Sequence, residues 1–379
     1  MGQLEALVAA KLAQRREQET FRSLKTAEGL VDFTSNDYLG FDRSEELKRR
    51  ISENEKKYAH LSVGPTGSRL LSGNSKFSEE VENQIATFHN AESALLFNSG
   101  YDANIGLISS LGRNVDYIVY DELIHASVHD GMRLSKAECI PFKHNDVAHL
   151  DELLTTLNGV AIIATESVFS MEGDKAPLEQ IIQVSNKHNA DVIVDEAHAV
   201  GLFGQGRGLV SELGLEDEVY ARLVTFGKAL GCHGSAVLGS ENLKQFLVNH
   251  ARSLIFSTFM SNHSLITIKS AYDILSEGNY KTHNISVLIQ IISSIYKREF
   301  GFDIIGSGTP IFGVVVPGNS AVRSVAKAVQ EDGFDVRPIV SPTVPKGLER
   351  IRVCLHEFNT EEELKGLLES LKKAVKNVY

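Results

Sequence analysis

The sequence predicts an α/β protein, with a mostly parallel central sheet in a large domain and a small α+β domain after it. Three observations carry this. Apolar runs at 160–165, 191–194 and 221–226 recur at intervals of about 30 residues, the length of one βαβ unit. Each run ends in a reactive side chain, namely Glu166, Asp195 and Lys228. Beyond residue 310, strand-like and helix-like patterns alternate over shorter distances, as in a small mixed domain. At 379 residues the chain exceeds what one core supports; we expect an arm at 1–43, a large domain at 44–270 and a small domain at 271–379.

Taken in order, residues 1–20 place Lys11, Arg15 and Arg16 among Leu and Ala at helical spacing, which reads as an amphipathic arm without the apolar core of a signal peptide. VDFTSNDYLG (31–40) is a short strand and a turn, in which Asn36 either shapes the turn or faces a ligand. The charged stretch 44–57 reads as a solvated helix. The small polar loop GPTGSRLLSGNS (64–75) is of the kind held against a ligand or a partner. Phe77, Val81, Ile85 and Phe88 form the stripe of a packed helix.

A strand at 94–97 passes through Asn98, Ser99, Gly100 and Tyr101 into a helix at 102–111. That turn is either a plain connection or an anion cup, because free N–H groups and the positive helix end point the same way. The strand 116–120 delivers His125 to a helix start, as a core histidine or a functional one. A helix at 178–188 links the first two of the three apolar strands. Residues 253–262 are a polar break, and 270–298 reads as helical, the hinge between domains. Strands near 311–316 and 351–354 and helices near 321–331 and 360–376 complete the tail. There, one of Arg350 and Arg352 holds a carboxylate by a two-point fork, or both serve structural ion pairs.

Charge and composition exclude several classes. A net charge of −11 disfavours a phosphate-tracking surface, so no nucleic-acid partner is expected. Cys139, Cys232 and Cys354 are scattered and odd in number, which argues against a disulfide framework or a metal site and suits a reducing cytoplasm. No stretch is long and apolar enough to span a membrane. GLFGQGRG (201–208) lacks the spacing of a dinucleotide fingerprint, and no G-x-S-x-G elbow of a serine hydrolase is present.

In an open α/β sheet, ligands bind outside the carboxyl ends of the strands, so Glu166, Asp195 and Lys228 should line one crevice. Lys228 stands in TFGKALG, among small and apolar neighbours. Desolvation there favours the neutral amine that a Schiff-base lysine needs. Alone, the residue reads equally as a surface lysine.

The motifs TSNDYLG, TGSRLLSGN, NSGYDAN, HASVHDG, ESVFSMEGD, DEAHAVGLFGQGRG, TFGKALG and SPTVPKGLERIRVCLH together resemble the α-oxoamine synthase family of fold-type I pyridoxal-phosphate (PLP) enzymes. The resemblance implies that Lys228 bonds the cofactor as a Schiff base, Asp195 pairs with its ring nitrogen, His198 bonds its phenolate oxygen and His125 stacks on its ring. It implies phosphate contacts from Gly100, Tyr101 and Thr225, with Thr258 reaching across a homodimer, and it places Ser170 at the cofactor. Asn36, Glu166 and Arg352 would surround the substrate. The expected activity is a decarboxylative condensation of an amino acid, L-alanine favoured over glycine or serine, with an acyl thioester of CoA or a carrier protein. A non-catalytic partner subunit of the same fold is the other reading; retention of Lys228, Asp195 and His198 argues against it.

Overall fold

The computed structural model describes residues 2–24, 26, 28–296 and 303–378. The chain divides into two compact units, one of Asn36–Ser170 with Lys175–Thr282, the other of Met1–Ser35 with Met171–Asp174 and His283–Tyr379. Met1, Tyr379 and Arg298, the ends of the expected arm, tail and central helical stretch, lie outside the described residues.

The larger unit holds a seven-stranded sheet in the order Ser93–Phe97, Ser235–Gly239, Ala221–Thr225, Asp191–Asp195, Ala161–Glu166, Tyr117–Asp121 and Glu138–Phe142. The last five strands run parallel. Ala161–Glu166 and Ala221–Thr225 are buried at every position, which is why they read as mainly apolar runs and not as alternating ones, buried Arg222 excepted. Ser235–Gly239 runs antiparallel to both neighbours. The reason is distance along the chain: a parallel return needs a crossover of a dozen or more residues, and residues 226–234 are too few. The two strands pair as a hairpin, Thr225 opposite Ser235, with Lys228 in the loop.

Helices pack over this sheet through Leu107, Ile108, Val128 and Leu247, against Leu95, Ile162, Ile193 and Leu223. Ser99 caps the helix Gly100–Leu111, its hydroxyl accepting the Asp102 N–H at 3.1 Å. Buried Glu82 is matched by Arg69, by Lys244 at 3.0 Å and by the Leu96 N–H at 2.9 Å. Removing both cations would leave the carboxylate charge uncompensated in the interior.

The expected single helix over 270–298 is two, Asn262–Ser276 and His283–Tyr296. The first ends in a Schellman turn: Asn279 N–H bonds Ile274 O at 3.1 Å, Gly278 N–H bonds Leu275 O at 3.0 Å, and Gly278 takes φ +66. A left-handed residue at that place stops a helix whatever the periodicity beyond it.

In the smaller unit, Arg337–Ile339, Arg350–Cys354, Ile311–Val315 and Ile304–Ile305 make an antiparallel sheet covered by Asn319–Glu331 and Glu361–Lys376. Its core includes Phe33, Val314, Val325, Ile351, Leu364 and Leu371. Thr360 and Glu363 form a reciprocal capping box at the last helix. Val31–Asp32 pairs in parallel with Phe334–Asp335, tying the N-terminal segment to this unit. The helix Gln3–Glu17 buries none of its residues, and Leu4, Leu7, Val8 and Leu12 stand exposed.

The glycine run 201–208 is a turn folded around Glu196. The Glu196 Oε1 accepts the Val210 N–H at 3.0 Å, and Gly208, at φ +115, leaves no room for a Cβ beside that carboxyl group. Burial pushes Glu196 up from 4.5 to about 7. A raised carboxyl pKa adds stability that is complete below about pH 4.5 and lost as pH climbs to about 7, a swing of roughly 3 kcal/mol. Glu196→Gln cannot ionise. In urea denaturation it should match the parent near pH 4.5 and exceed it at pH 8, whereas a variant weaker at pH 8 would mean that the ionised carboxylate is what the fold needs.

Candidate active site

Register sets the first two site residues side by side: Glu166 and Asp195 are paired neighbours at the ends of parallel strands. The third, Lys228, is half-buried in the hairpin loop 226–234. That loop is tied across itself by Cys232 N–H to Phe226 O at 2.8 Å, Phe226 N–H to Gly234 O at 2.9 Å and Gly231 N–H to Lys228 O at 3.0 Å. The Lys228 ammonium acts electrostatically on both Glu166 and His125, so the strand ends do converge.

The two carboxyl groups are held differently. Asp195 Oδ1 accepts the Ala197 N–H at 2.9 Å and Oδ2 accepts from Asn104 Nδ2 at 2.8 Å. Glu166 is buried and its Oε1 has no hydrogen-bond partner among the described residues. Burial, and then the neighbouring Asp195 charge, raise its pKa well above the usual carboxylate range. One site thus carries one anchored carboxylate beside one carboxyl group biased toward its neutral form.

Two histidines flank them. His125 caps the helix Ala126–Arg133, with Nδ1 lying 2.7 Å from Ser127 Oγ and 3.2 Å from Ser127 N. His198 is buried with Nδ1 2.8 Å from Tyr38 Oη, which also lies 3.2 Å from Asn36 Oδ1. A single phenolic proton serves one of these acceptors; when it goes to His198, the ring keeps its proton on Nε2 and presents a donor.

The turn at 98–101 borders the same strand ends. A Cβ on Gly100 would stand 3.6 Å from Thr225 Oγ1, so the helix N-terminus and the buried threonine face a shared space. Tyr101 is exposed, its hydroxyl donating to Asp130, which also pairs with Arg133. Asn98 Nδ2 donates to Thr258 O at 2.8 Å, placing exposed Thr258 by this turn within its own chain. Ser170 sits in the turn after the Glu166 strand.

Arg352 belongs to the smaller unit, paired across the sheet with Gly313 and Arg337. Its neighbour Arg350 is buried and bonded to Glu172 at 3.2 Å and Met171 O at 3.0 Å, a structural ion pair. Among the described residues no group of His, Cys, Asp and Glu is placed to hold a metal ion, and no helix is long and apolar enough to cross a membrane.

This donor set fits pyridoxal phosphate. An amine, a carboxylate held for a cationic ring nitrogen, an anion cup walled by Gly100 and Thr225, and an orphaned buried oxygen on Glu166 are what its aldehyde, ring and phosphate call for. Sequence reading missed Tyr38, Asn104 and Ser127. Each lies inside a motif singled out above, but nothing in a lone Asn or Ser on a helix tells that it bonds a distant carboxylate.

The model of the family "aminotransferase class I and II" matches residues 28–371. An 8-amino-7-oxononanoate synthase from Emericella nidulans is 43% identical, over 94% of this chain and 93% of its own. Among solved structures, a serine palmitoyltransferase variant from S. paucimobilis with a bound PLP–myriocin aldimine has a TM-score of 0.88 at 25% identity, covering 100% of this chain and 99% of that one. An 8-amino-7-oxononanoate synthase from Francisella tularensis has a TM-score of 0.75 at 26% identity, covering 92% and 99%. The chain therefore belongs to the aminotransferase class I and II family, as a pyridoxal-phosphate-dependent α-oxoamine synthase most like the 8-amino-7-oxononanoate synthases.

Proposed function

We propose that the chain condenses L-alanine with a pimeloyl thioester, of CoA or of a carrier protein, releasing CO2 and the free thiol and forming 8-amino-7-oxononanoate for biotin synthesis. The 43% identity to a synthase of that name over nearly the whole of both chains is the observation that carries the reading. Pyridoxal phosphate, when bound, supplies a sink for the electrons released at the amino-acid α-carbon.

The chain's own residues have distinct tasks in this reading. Lys228 would hold the cofactor and would serve as the base for the amino-acid α-proton. Asp195 would pair with the ring nitrogen, its carboxylate held in place by Asn104 and the Ala197 N–H. His198, with Nδ1 2.8 Å from the Tyr38 hydroxyl, would offer Nε2 to the phenolate oxygen. His125 covers the ring. The Gly100 and Tyr101 amides and the Thr225 hydroxyl would hold the phosphate, and Ser170 would add a cofactor contact. Substrate roles for Asn36, Glu166 and Arg352 rest on the resemblance.

Purified enzyme should be offered L-alanine, glycine or serine with short, dicarboxylic or long acyl-CoAs, and the products read by mass spectrometry. The reading expects the alanine and pimeloyl pair to exceed every other combination. A preference for glycine with a short acyl chain, or serine with a long one, would move the chain to another branch of the family.

The working unit in this proposal is a homodimer in the cytoplasm, in keeping with three cysteines that form no disulfide. The loops 62–73 and 256–262 support it. They bond each other through Phe259 N–H to Gly67 O at 3.2 Å and Asn262 N–H to Val63 O at 3.3 Å, and they turn Val63, Leu71 and Phe256 outward, 92%, 86% and 70% exposed. Apolar side chains clustered so openly are a surface to be covered. Arg69 stays with Glu82 of its own chain, leaving Thr258 as the group to reach a partner's phosphate.

Mixing inactive Lys228→Ala chains with Thr258→Asp chains should restore roughly a quarter of parent activity, because half the dimers become hybrids with one intact site. A mixture that stays inactive despite proven subunit exchange would defeat the arrangement.

A further inference from the structure

Asn104 lies one turn inside the helix Gly100–Leu111 and is buried, 3% exposed. Its side-chain nitrogen donates twice, to Asp195 Oδ2 at 2.8 Å and to Ser127 Oγ at 2.9 Å. An amide nitrogen carries two hydrogens, so both are used. Turning the amide over would set oxygen against the Asp195 carboxylate, so only one orientation satisfies the pair.

Direction then propagates along the chain of bonds. Ser127 Oγ receives a hydrogen from Asn104, and its own proton points to the acceptor 2.7 Å away, His125 Nδ1. The Ser127 backbone N–H, at 3.2 Å, also aims at Nδ1. A protonated Nδ1 would face two donors, so the ring is held neutral with its hydrogen on Nε2. At the other end, Asp195 has one oxygen on Asn104 and one on the Ala197 N–H, which fixes the plane of the carboxylate.

We propose that Asn104 is a positioning residue: one buried amide sets the carboxylate plane of Asp195 and, through Ser127, the neutral Nε2–H form of His125. The groups that address the ring nitrogen and the ring face are thereby adjusted together. The inference rests on the cofactor reading for its consequence, though the hydrogen-bond chain stands in the protein alone.

Two readouts separate the arms. The first is the dissociation constant of pyridoxal phosphate, from titration of the cofactor-free protein. The second is the tautomer of His125, from nitrogen-15 imidazole spectra of that protein, assigned by comparison with His125→Gln. The parent should show the Nε2–H form. Asn104→Leu, similar in shape and without donors, should mix the tautomers and weaken cofactor binding at least tenfold, the loss expected for a hydrogen bond to a charged group.

Ser127→Ala should mix the tautomers while leaving cofactor affinity within about threefold of the parent, because the Asp195 bond remains. Asn104→Ala, which also lacks both donors, serves if the leucine variant does not fold, and should behave like it. The proposal is overturned if the Asn104 variants keep the parent affinity and the Nε2–H form, or if Ser127→Ala weakens binding as much as they do. Should the parent itself fail to bind pyridoxal phosphate, the cofactor reading falls, and the tautomer comparison still decides whether Asn104 governs His125.

Discussion

A charge placed at the inner end of a parallel strand must be stabilised without water, and the Asp195 carboxylate is where the larger unit meets that demand. Its desolvation would cost several kcal/mol if unpaired. Two donors answer it, the Ala197 N–H at 2.9 Å and the Asn104 amide at 2.8 Å, one from the turn just after the strand and one from a helix packed over the sheet. Glu166, its paired neighbour, is pushed toward the neutral form, so the strand ends do not set two anions side by side. The cation nearby, Lys228, comes from a different structural device.

That device is the hairpin. Because Thr225 and Ser235 are opposite each other in an antiparallel pair, the residues between them form a closed loop with little freedom, cross-bonded at Phe226, Lys228 and Cys232. A lysine on a crossover connection would enter a helix and point away; here the backbone returns at once, and the side chain stays beside the strand ends. The turn after Ser93–Phe97 lies against the same hairpin, which is how Gly100 comes within reach of Thr225. Amine, carboxylate and anion cup therefore share one edge of one sheet.

Much of this was legible in the sequence, and the reasons differ by element. The parallel strands at the site are buried along nearly their whole length, so their apolar runs and polar ends announce both the strand and its direction. Ser235–Gly239 was not foreseen, since a short run flanked by glycine and lying so near the previous strand gives no βαβ spacing. Glu138–Phe142, an edge strand only partly buried and interrupted by Pro141, gives no clear strand pattern. The break at Gly278 carried its signal, a helix followed by Glu-Gly-Asn, but apolar periodicity on both sides masked it. The ion pair of Arg350 was not legible because its partner, Glu172, lies far away in sequence. Tyr38, Asn104 and Ser127 were silent because their partners lie across the fold.

The central claim is that Lys228 bonds the cofactor, and covalent trapping tests it most directly. The enzyme saturated with pyridoxal phosphate would be reduced with borohydride, digested and mapped by mass spectrometry. The account predicts the pyridoxyl mass on the peptide containing Lys228 and on no other. Labelling of a different lysine, or none on a cofactor-loaded protein, would contradict it.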